Sequence, residues 1–214
     1  MERINLDYSS LAQDVTIETV PAQAASPDAP YWTYGPEYTV ITLQSYPITN
    51  HFFQPQIFVY PVADMTASNE GMGMMVADLE ALLGSHNPGE SLPYLPFYNA
   101  AQVFHTQVQF LGFTNGSGVR FLTQFSQGFV KINNYDLIYT FQGLTNDGQY
   151  YIAAVLPVTH PDLPDDNIIN DDDLRDDVPA YLANLAATLD QQPADSFMPD
   201  LNLLDAMMRS MEVR

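Results

Sequence analysis

The feature that most constrains the fold is the stretch 99–160, in which apolar runs alternate with tight-turn residues. Asn115-Gly116 and Asn146-Asp147-Gly148 lie between successive runs. Asn-Gly and Asp-Gly pairs favour the positive φ values of tight hairpins. The stretch therefore predicts a four-stranded antiparallel meander over 101–158.

The four runs differ in how their apolar residues are spaced. In the first, Phe104, Thr106, Val108 and Phe110 alternate with polar residues, and the next two runs repeat this period of two. Such alternation is typical of strands with one buried and one wet face. The fourth run, Tyr150–Val158, is apolar on both faces, which predicts a central strand covered by helices on each side.

The rest of the chain supplies further strands and helices. Its alternating segments predict strands at Ile4–Tyr8, Val15–Val20, Tyr38–Tyr46 and Gln56–Val62. Its segments of helical period predict helices over about 64–83, from about Pro179, and over about 199–211. We therefore predict an α+β fold in a single domain over 1–214, with helices packed on an antiparallel sheet of five to seven strands. Residues 1–30 form an extended N-terminal segment with strands and a Pro/Ala-rich crossing, and 160–177 form an acidic loop.

Composition limits the class of partner. The chain holds 26 acidic and 6 basic residues, giving a net charge of −20. For a protein of this size that is about one net negative charge per 500 Å² of surface. Such a surface repels nucleic acid and favours cations or basic partners, so nucleic-acid binding is rejected. The absence of cysteine excludes disulfides and Cys-ligated metals, and no segment is apolar enough to predict a membrane span.

The acidic loop is the sharpest candidate for a metal site. Eight Asp residues lie within sixteen positions, and Asp165, Asp166, Asp171 and Asp173 are the candidate calcium ligands. The loop has no central Gly and no closing Glu, so it does not fit the helix–loop–helix calcium motif. We expect a solvated loop with no cofactor, and calcium binding is the alternative.

Aromatic residues suggest a partner surface instead. Tyr31, Trp32 and Tyr34 lie in a Pro-flanked segment, YWTYGPEY, that is suited to a carbohydrate or peptide partner. His105 lies on the polar face of the first meander strand and is a fourth candidate. The simpler alternatives are that the rings pack over an open end of the sheet and that His105 is an ordinary surface histidine.

The sequence contains no strong motif of a catalytic site. The chain has no G-x-S-x-G and no phosphate-binding glycine loop, and Gly116-Ser117-Gly118 is interpreted as a turn. No catalytic residue is predicted, although a Ser–His–Asp triad stays open because its members can be distant in sequence.

Two segments carry a family resemblance. LPYLPFYNAAQVFHTQVQFLGFTNGSGVRFLTQF (92–125) and YTFQGLTNDGQYYIAAVLPVTHPDLP (139–164) resemble an uncharacterised family of secreted bacterial proteins, many of them lipoproteins. The resemblance extends over much of 15–62 and implies no activity. The chain differs from that pattern in having no lipobox Cys. The order of its elements, closing on LLDAMMRSMEV, is similar to PsbP-like domains, which are α/β/α sandwiches that dock on other proteins.

We therefore expect a non-enzymatic extracellular or cell-envelope protein that binds a protein or another partner. A native start at Met1 would instead place it in the cytoplasm. A calcium- or cation-dependent binding module and an undetected hydrolase are the two alternatives.

Overall fold

The computed structural model describes residues 3–128, 130–166 and 177–214. It confirms the α+β class. The strands are β1 (Ile4–Asn5), β2 (Asp14–Val20), β3 (Tyr38–Gln44), β4 (Gln56–Pro61), β5 (Ala101–Phe113), β6 (Gly116–Ser126), β7 (Ile138–Thr145), β8 (Tyr150–Pro157) and β9 (Glu212–Val213). The helices are α1 (Val62–Ser68), α2 (Glu70–Ser85), α3 (Val178–Asp190) and α4 (Leu201–Ser210).

Seven of the strands form one antiparallel sheet in the order β2-β3-β4-β8-β7-β6-β5, and β1 pairs with β9 in a separate two-stranded sheet. The β1–β9 pairing, between the two ends of the described chain, was not predicted. The helix predicted over 64–83 is two helices, because Asn69 has extended backbone angles and its side chain caps α2.

The sheet carries an apolar layer on each face. One cluster joins it to α3 and α4 through residues such as Leu189 and Leu204, and the other joins it to α1 and α2 through Met65 and Leu79. The strand β8 lies in the middle of the sheet and is buried on both faces, as predicted. The prediction of wet faces was wrong for β7, which is buried throughout, and for most of β6.

The strand β5 changes faces along its length. Its pairing with β6 shifts by one residue between Thr106 and Gln109, and Gln107 there has a φ of 56°. A one-residue bulge moves the following side chains to the opposite face. Phe104 therefore packs with the α3/α4 cluster, whereas Val108 and Phe110 pack with the α1/α2 cluster. The predicted single face from Phe104 to Phe110 was wrong for this reason.

Gly116 and Gly118 are sheet residues rather than the turn that the sequence suggested. A Cβ on Gly118 would lie 2.4 Å from the ring of Phe141, and one on Gly116 would lie 2.1 Å from the ring of Phe113. Glycine is therefore required because aromatic rings from neighbouring positions lie directly over the backbone. Neither residue has a positive φ, whereas Gly148 does, at 67°.

A buried ion pair ties α4 to the sheet. The Arg120 Nε donates to Asp205 Oδ1 at 3.1 Å, and both side chains are almost fully buried. The Tyr139 hydroxyl donates to the same carboxylate oxygen at 3.0 Å, and the remaining Arg120 nitrogens donate to Gln107 O and Gln109 Oε1. The charges are thus paired and hydrogen-bonded, the condition under which a buried pair persists.

Removing one partner of this pair is expected to destabilise the protein strongly. Arg120→Ala should lower the free energy of unfolding by about 3–5 kcal/mol, because the Asp205 carboxylate stays buried without its cation. The double variant Arg120→Met/Asp205→Leu should cost less than Arg120→Ala alone. Urea unfolding of the three proteins measures both effects, and equal losses for the single and double variants would contradict the pairing.

Candidate functional site

Eight aromatic rings lie in a continuous row along the margin of the α1/α2 layer. In order along the row they are Phe52, Phe53, Tyr98, Phe125, Tyr94, Phe97, Tyr31 and Trp32. Successive ring centroids are 4.5 to 6.4 Å apart. These distances are those of favourable aromatic pairs. We call this set the aromatic row.

The aromatic row is only partly covered. Phe52 at one end is 65% exposed and Tyr31 near the other end is 50% exposed, while the six other rings are partly buried. Burial raises the pKa of Tyr94 and Tyr98, so their hydroxyls stay neutral at ordinary pH. The row therefore offers uncharged aromatic surface on a protein whose net charge is −20.

Buried Asn69 fixes the Trp32 end of the row. Its side-chain amide donates to Tyr31 O at 2.8 Å and to Tyr34 O at 2.9 Å, and its Oδ1 accepts from Met72 N at 3.2 Å. One side chain thus caps α2 and holds the short 3-10 helix Tyr31–Thr33 against it.

The centre of the row is held from inside the sheet. Gln142 on β7 accepts from Leu95 N at 2.9 Å and donates to Leu95 O at 3.1 Å, although it is fully buried. The Tyr151 hydroxyl donates to the same Gln142 oxygen at 2.8 Å. The segment 94–98, which carries Tyr94, Phe97 and Tyr98, is therefore attached to the sheet through the side chain of Gln142.

His51 holds the Phe52 end. Its Nε2 donates to Leu137 O at 2.8 Å, and its Nδ1 accepts from Phe53 N at 3.0 Å. Burial lowers the pKa of His51, which keeps the ring neutral and its Nδ1 free to accept. All three parts of the row are thus positioned by buried or partly buried hydrogen bonds.

Two concavities flank the row. One, of about 110 Å³, is lined by Trp32, Tyr34 and Phe97 among other residues. The other, of about 570 Å³, runs between α2 and the segment 87–94 and reaches Tyr94. The predicted site residues Tyr31, Trp32 and Tyr34 thus lie at one end of a larger surface.

His105 lies elsewhere. It lines an open cleft of about 670 Å³ beside α3 together with Gln107, Arg120 and Asp190. Asp190 accepts from Thr106 and from Gln107 N, and the Gln107 amide donates to Leu189 O and Gln192 O. These bonds attach the β5 bulge to the end of α3 and engage Gln107 and Asp190, while His105 lines the same cleft.

A serine, a histidine and an aspartate do meet, but in the wrong hydrogen-bonding sense for catalysis. The Ser196 hydroxyl donates to Pro193 O at 2.7 Å, so its oxygen accepts from His160 Nε2 at 3.2 Å. His160 Nδ1 accepts from Asp162 N at 3.3 Å. A general base needs the opposite tautomer, with Nδ1 protonated and Nε2 free to take the serine proton. The arrangement fits a structural role.

Two of the four candidate calcium ligands lie among the described residues. Asp165 accepts from the buried Asn134 amide at 3.2 Å, and Asp166 is also described, but Asp171 and Asp173 lie outside the described residues. Within the described parts of the chain no three His, Asp or Glu side chains converge on a point that could hold a metal ion.

Six of the eight residues of the row lie outside the aromatic segment that the sequence predicted as a partner surface. Tyr94, Phe97 and Tyr98 lie between α2 and β5, Phe52 and Phe53 lie between β3 and β4, and Phe125 lies on β6. The available signal was the density of aromatic residues in these Pro-flanked loops. The contact between loops far apart in sequence could not be derived from it.

Comparisons of the chain with protein-family models, with curated proteins and with solved structures found no match. In the described residues no helix has the length and apolar character needed to cross a membrane. Function therefore has to be inferred from the geometry of the site.

Asn69→Ala tests how the row is held. The substitution removes the α2 cap and leaves two carbonyls without their donor, which should cost about 2 kcal/mol of unfolding free energy. Trp32 is the only tryptophan, so its fluorescence should shift to the red as its segment loosens. The matched control is Asn184→Ala at an exposed position of α3. Identical emission and stability in both variants would show that Asn69 does not position the row.

Proposed function

We propose that this protein is a non-enzymatic binding protein that contacts a protein partner through the aromatic row. The observation that carries the proposal is the row itself: eight uncharged rings from four separate segments, in continuous contact and partly open to solvent. Aromatic residues are enriched in protein interfaces, and tyrosine and tryptophan contribute a large share of binding energy there.

The small volume of one concavity and the openness of the other favour a macromolecular partner over a small molecule. Sites that enclose a small ligand have volumes of about 300–1,000 Å³. The concavity beside Trp32 holds about 110 Å³, and the larger groove at Tyr94 is open to solvent. A surface that cannot enclose a ligand can still bind a partner whose side chains lie across it.

The way the rings are held also supports binding. Asn69, Gln142 and His51 fix the three parts of the row through buried or partly buried hydrogen bonds. A rigid surface loses little conformational entropy on association, which favours affinity. Rings that served only to fill the core would be buried, whereas Tyr31 and Phe52 place about half or more of their surface in water.

The proposed location is the extracellular space or the cell envelope. It rests on the resemblance of 92–125 and 139–164 to secreted bacterial proteins. The low number of basic residues, 6 of 214, is in keeping with a protein whose partner is not nucleic acid.

Site-specific photo-crosslinking tests the proposal. A photoreactive phenylalanine analogue at Phe52 should give a discrete adduct with one partner protein in the native host. The same analogue at Leu203, 40% exposed on α4 at the other face of the sheet, should not give it.

Dependence on the row is tested by a second substitution. Trp32→Ala should reduce the Phe52 adduct by about tenfold or more, because loss of a tryptophan that acts as a binding hot spot typically costs about 2 kcal/mol or more. Leu203→Ala should leave the adduct unchanged. An adduct that forms equally from both positions, or that survives Trp32→Ala, would refute the proposal.

A further inference from the structure

The strand β2 forms an open edge of the seven-stranded sheet. It pairs with β3 over all seven of its residues without a register shift, and in the described parts of the chain it pairs with no other strand. Most of its residues are exposed, and Ile17 at its centre is 58% exposed. The opposite edge, β5, is interrupted by two register shifts and is covered by α3 near its bulge.

The register shows which backbone groups of β2 face outwards. The Leu43 N–H donates to Pro55 O at 3.0 Å, so Leu43 and alternate residues of β3 face β4. The residues opposite them on β2, which are Val15, Ile17 and Thr19, therefore direct their N–H and C=O groups away from β3. In agreement, Val15 N donates to the Asp14 side chain at 2.8 Å rather than to the ladder.

Three usual devices that block an edge strand, proline, lysine and a bulge, are missing from β2, and its charged residues are acidic. Its sequence, DVTIETV, contains no proline and no lysine, and the strand has no bulge. Among the described residues, the N–H groups of Ile17 and Thr19 have no hydrogen-bond partner. An exposed edge of this length is a template for a further strand.

Charge indicates which strand would fit. Asp14 and Glu18 lie on the face of β2 that also carries Val20, and Ile17 lies on the other face beside a concavity of about 690 Å³. Glu37 and Asp64 also line this concavity, with Arg3 as its one basic residue. A second copy of this chain, with its own charge of −20, would be repelled.

We propose that β2 accepts an extended cationic segment of a protein partner as an eighth, antiparallel strand of the sheet. The segment alternates basic residues, which face Asp14 and Glu18, with aliphatic residues, which lie beside Ile17. Residues directly opposite in an antiparallel pair place their side chains on the same face, so this alternation follows from the register. The site does not depend on the function proposed for the aromatic row, although Val20 at the end of β2 lines the concavity beside Trp32.

Synthetic peptides are the probes. The first probe is the peptide Lys-Val-Lys-Val-Lys-Val-Lys, blocked at both ends, which has the seven-residue length of β2. Its valines would lie opposite Val15, Ile17 and Thr19 and would exchange backbone hydrogen bonds with these residues. N-methylation of the valines should weaken binding by about tenfold or more, because it removes these bonds. N-methylation of the inner lysines, whose N–H groups face solvent, should change binding by less than about twofold. Calorimetric titration at low ionic strength measures all three peptides.

Substitutions in the protein give the matched test. Ile17→Pro removes an outward N–H without removing a bond to β3 and should abolish binding, whereas Ile17→Val keeps that N–H and should bind normally. Glu18→Lys should weaken binding of the lysine peptide by about tenfold at low salt, since an attractive contact becomes a repulsive one. Circular dichroism checks that each variant is folded. If Ile17→Pro does not fold, Glu18→Lys still tests the proposal.

Three outcomes would overturn the proposal: no binding of the lysine peptide, equal binding of the two N-methylated peptides, or equal binding of the matched peptide with glutamate in place of lysine. Sedimentation that shows dimers lost in Ile17→Pro would assign the edge to a second copy of this chain and would also overturn it.

Discussion

Three adjacent strands, β8, β7 and β6, are buried on both faces over most of their length, and the rest of the structure depends on this constraint. A sheet buried on both faces needs an apolar layer on each side. The helices α1 and α2 supply one layer, and α3 and α4 supply the other. The close approach of Phe113 and Phe141 to Gly116 and Gly118 belongs to the same dense packing.

Burial on both faces also explains the polar side chains inside the sheet. A buried polar group that lacks a hydrogen-bond partner costs free energy, so most of those that the sheet encloses have one, Gln102 Nε2 being an exception. Arg120 is satisfied by Asp205 of α4, and Gln142 is satisfied by both backbone groups of Leu95. The same bonds fix the position of α4 and of the segment that carries Tyr94, Phe97 and Tyr98, three of the eight rings of the aromatic row. The geometry of the aromatic row therefore depends on the hydrogen bonds that buried polar side chains of the sheet form.

The sequence predicted the parts of this structure that depend on local periodicity. The central position of β8 and the helical segments follow from the spacing of apolar residues. The wet faces of β6 and β7 were predicted wrongly because Gln124 and Gln142 are polar but buried, and polarity alone does not show that a partner is available. The bulge at Gln107 left no signal in the alternating pattern. Tyr31, Trp32 and Tyr34 were predicted from aromatic density, but the contact of Tyr31 with Phe97 joins segments far apart in sequence.

The central claim is that the aromatic row is covered by a partner in the native setting, and side-chain footprinting tests it most directly. Hydroxyl radicals oxidise exposed Trp, Tyr, Phe and Met side chains, so the protein can be labelled in its host and again after purification. The account predicts that Tyr31, Trp32 and Phe52 are oxidised less in the host than in the purified protein, while Met198, which is 57% exposed and not part of the row, is oxidised equally. Equal oxidation of the row in both settings, or protection centred on Met198, would contradict it.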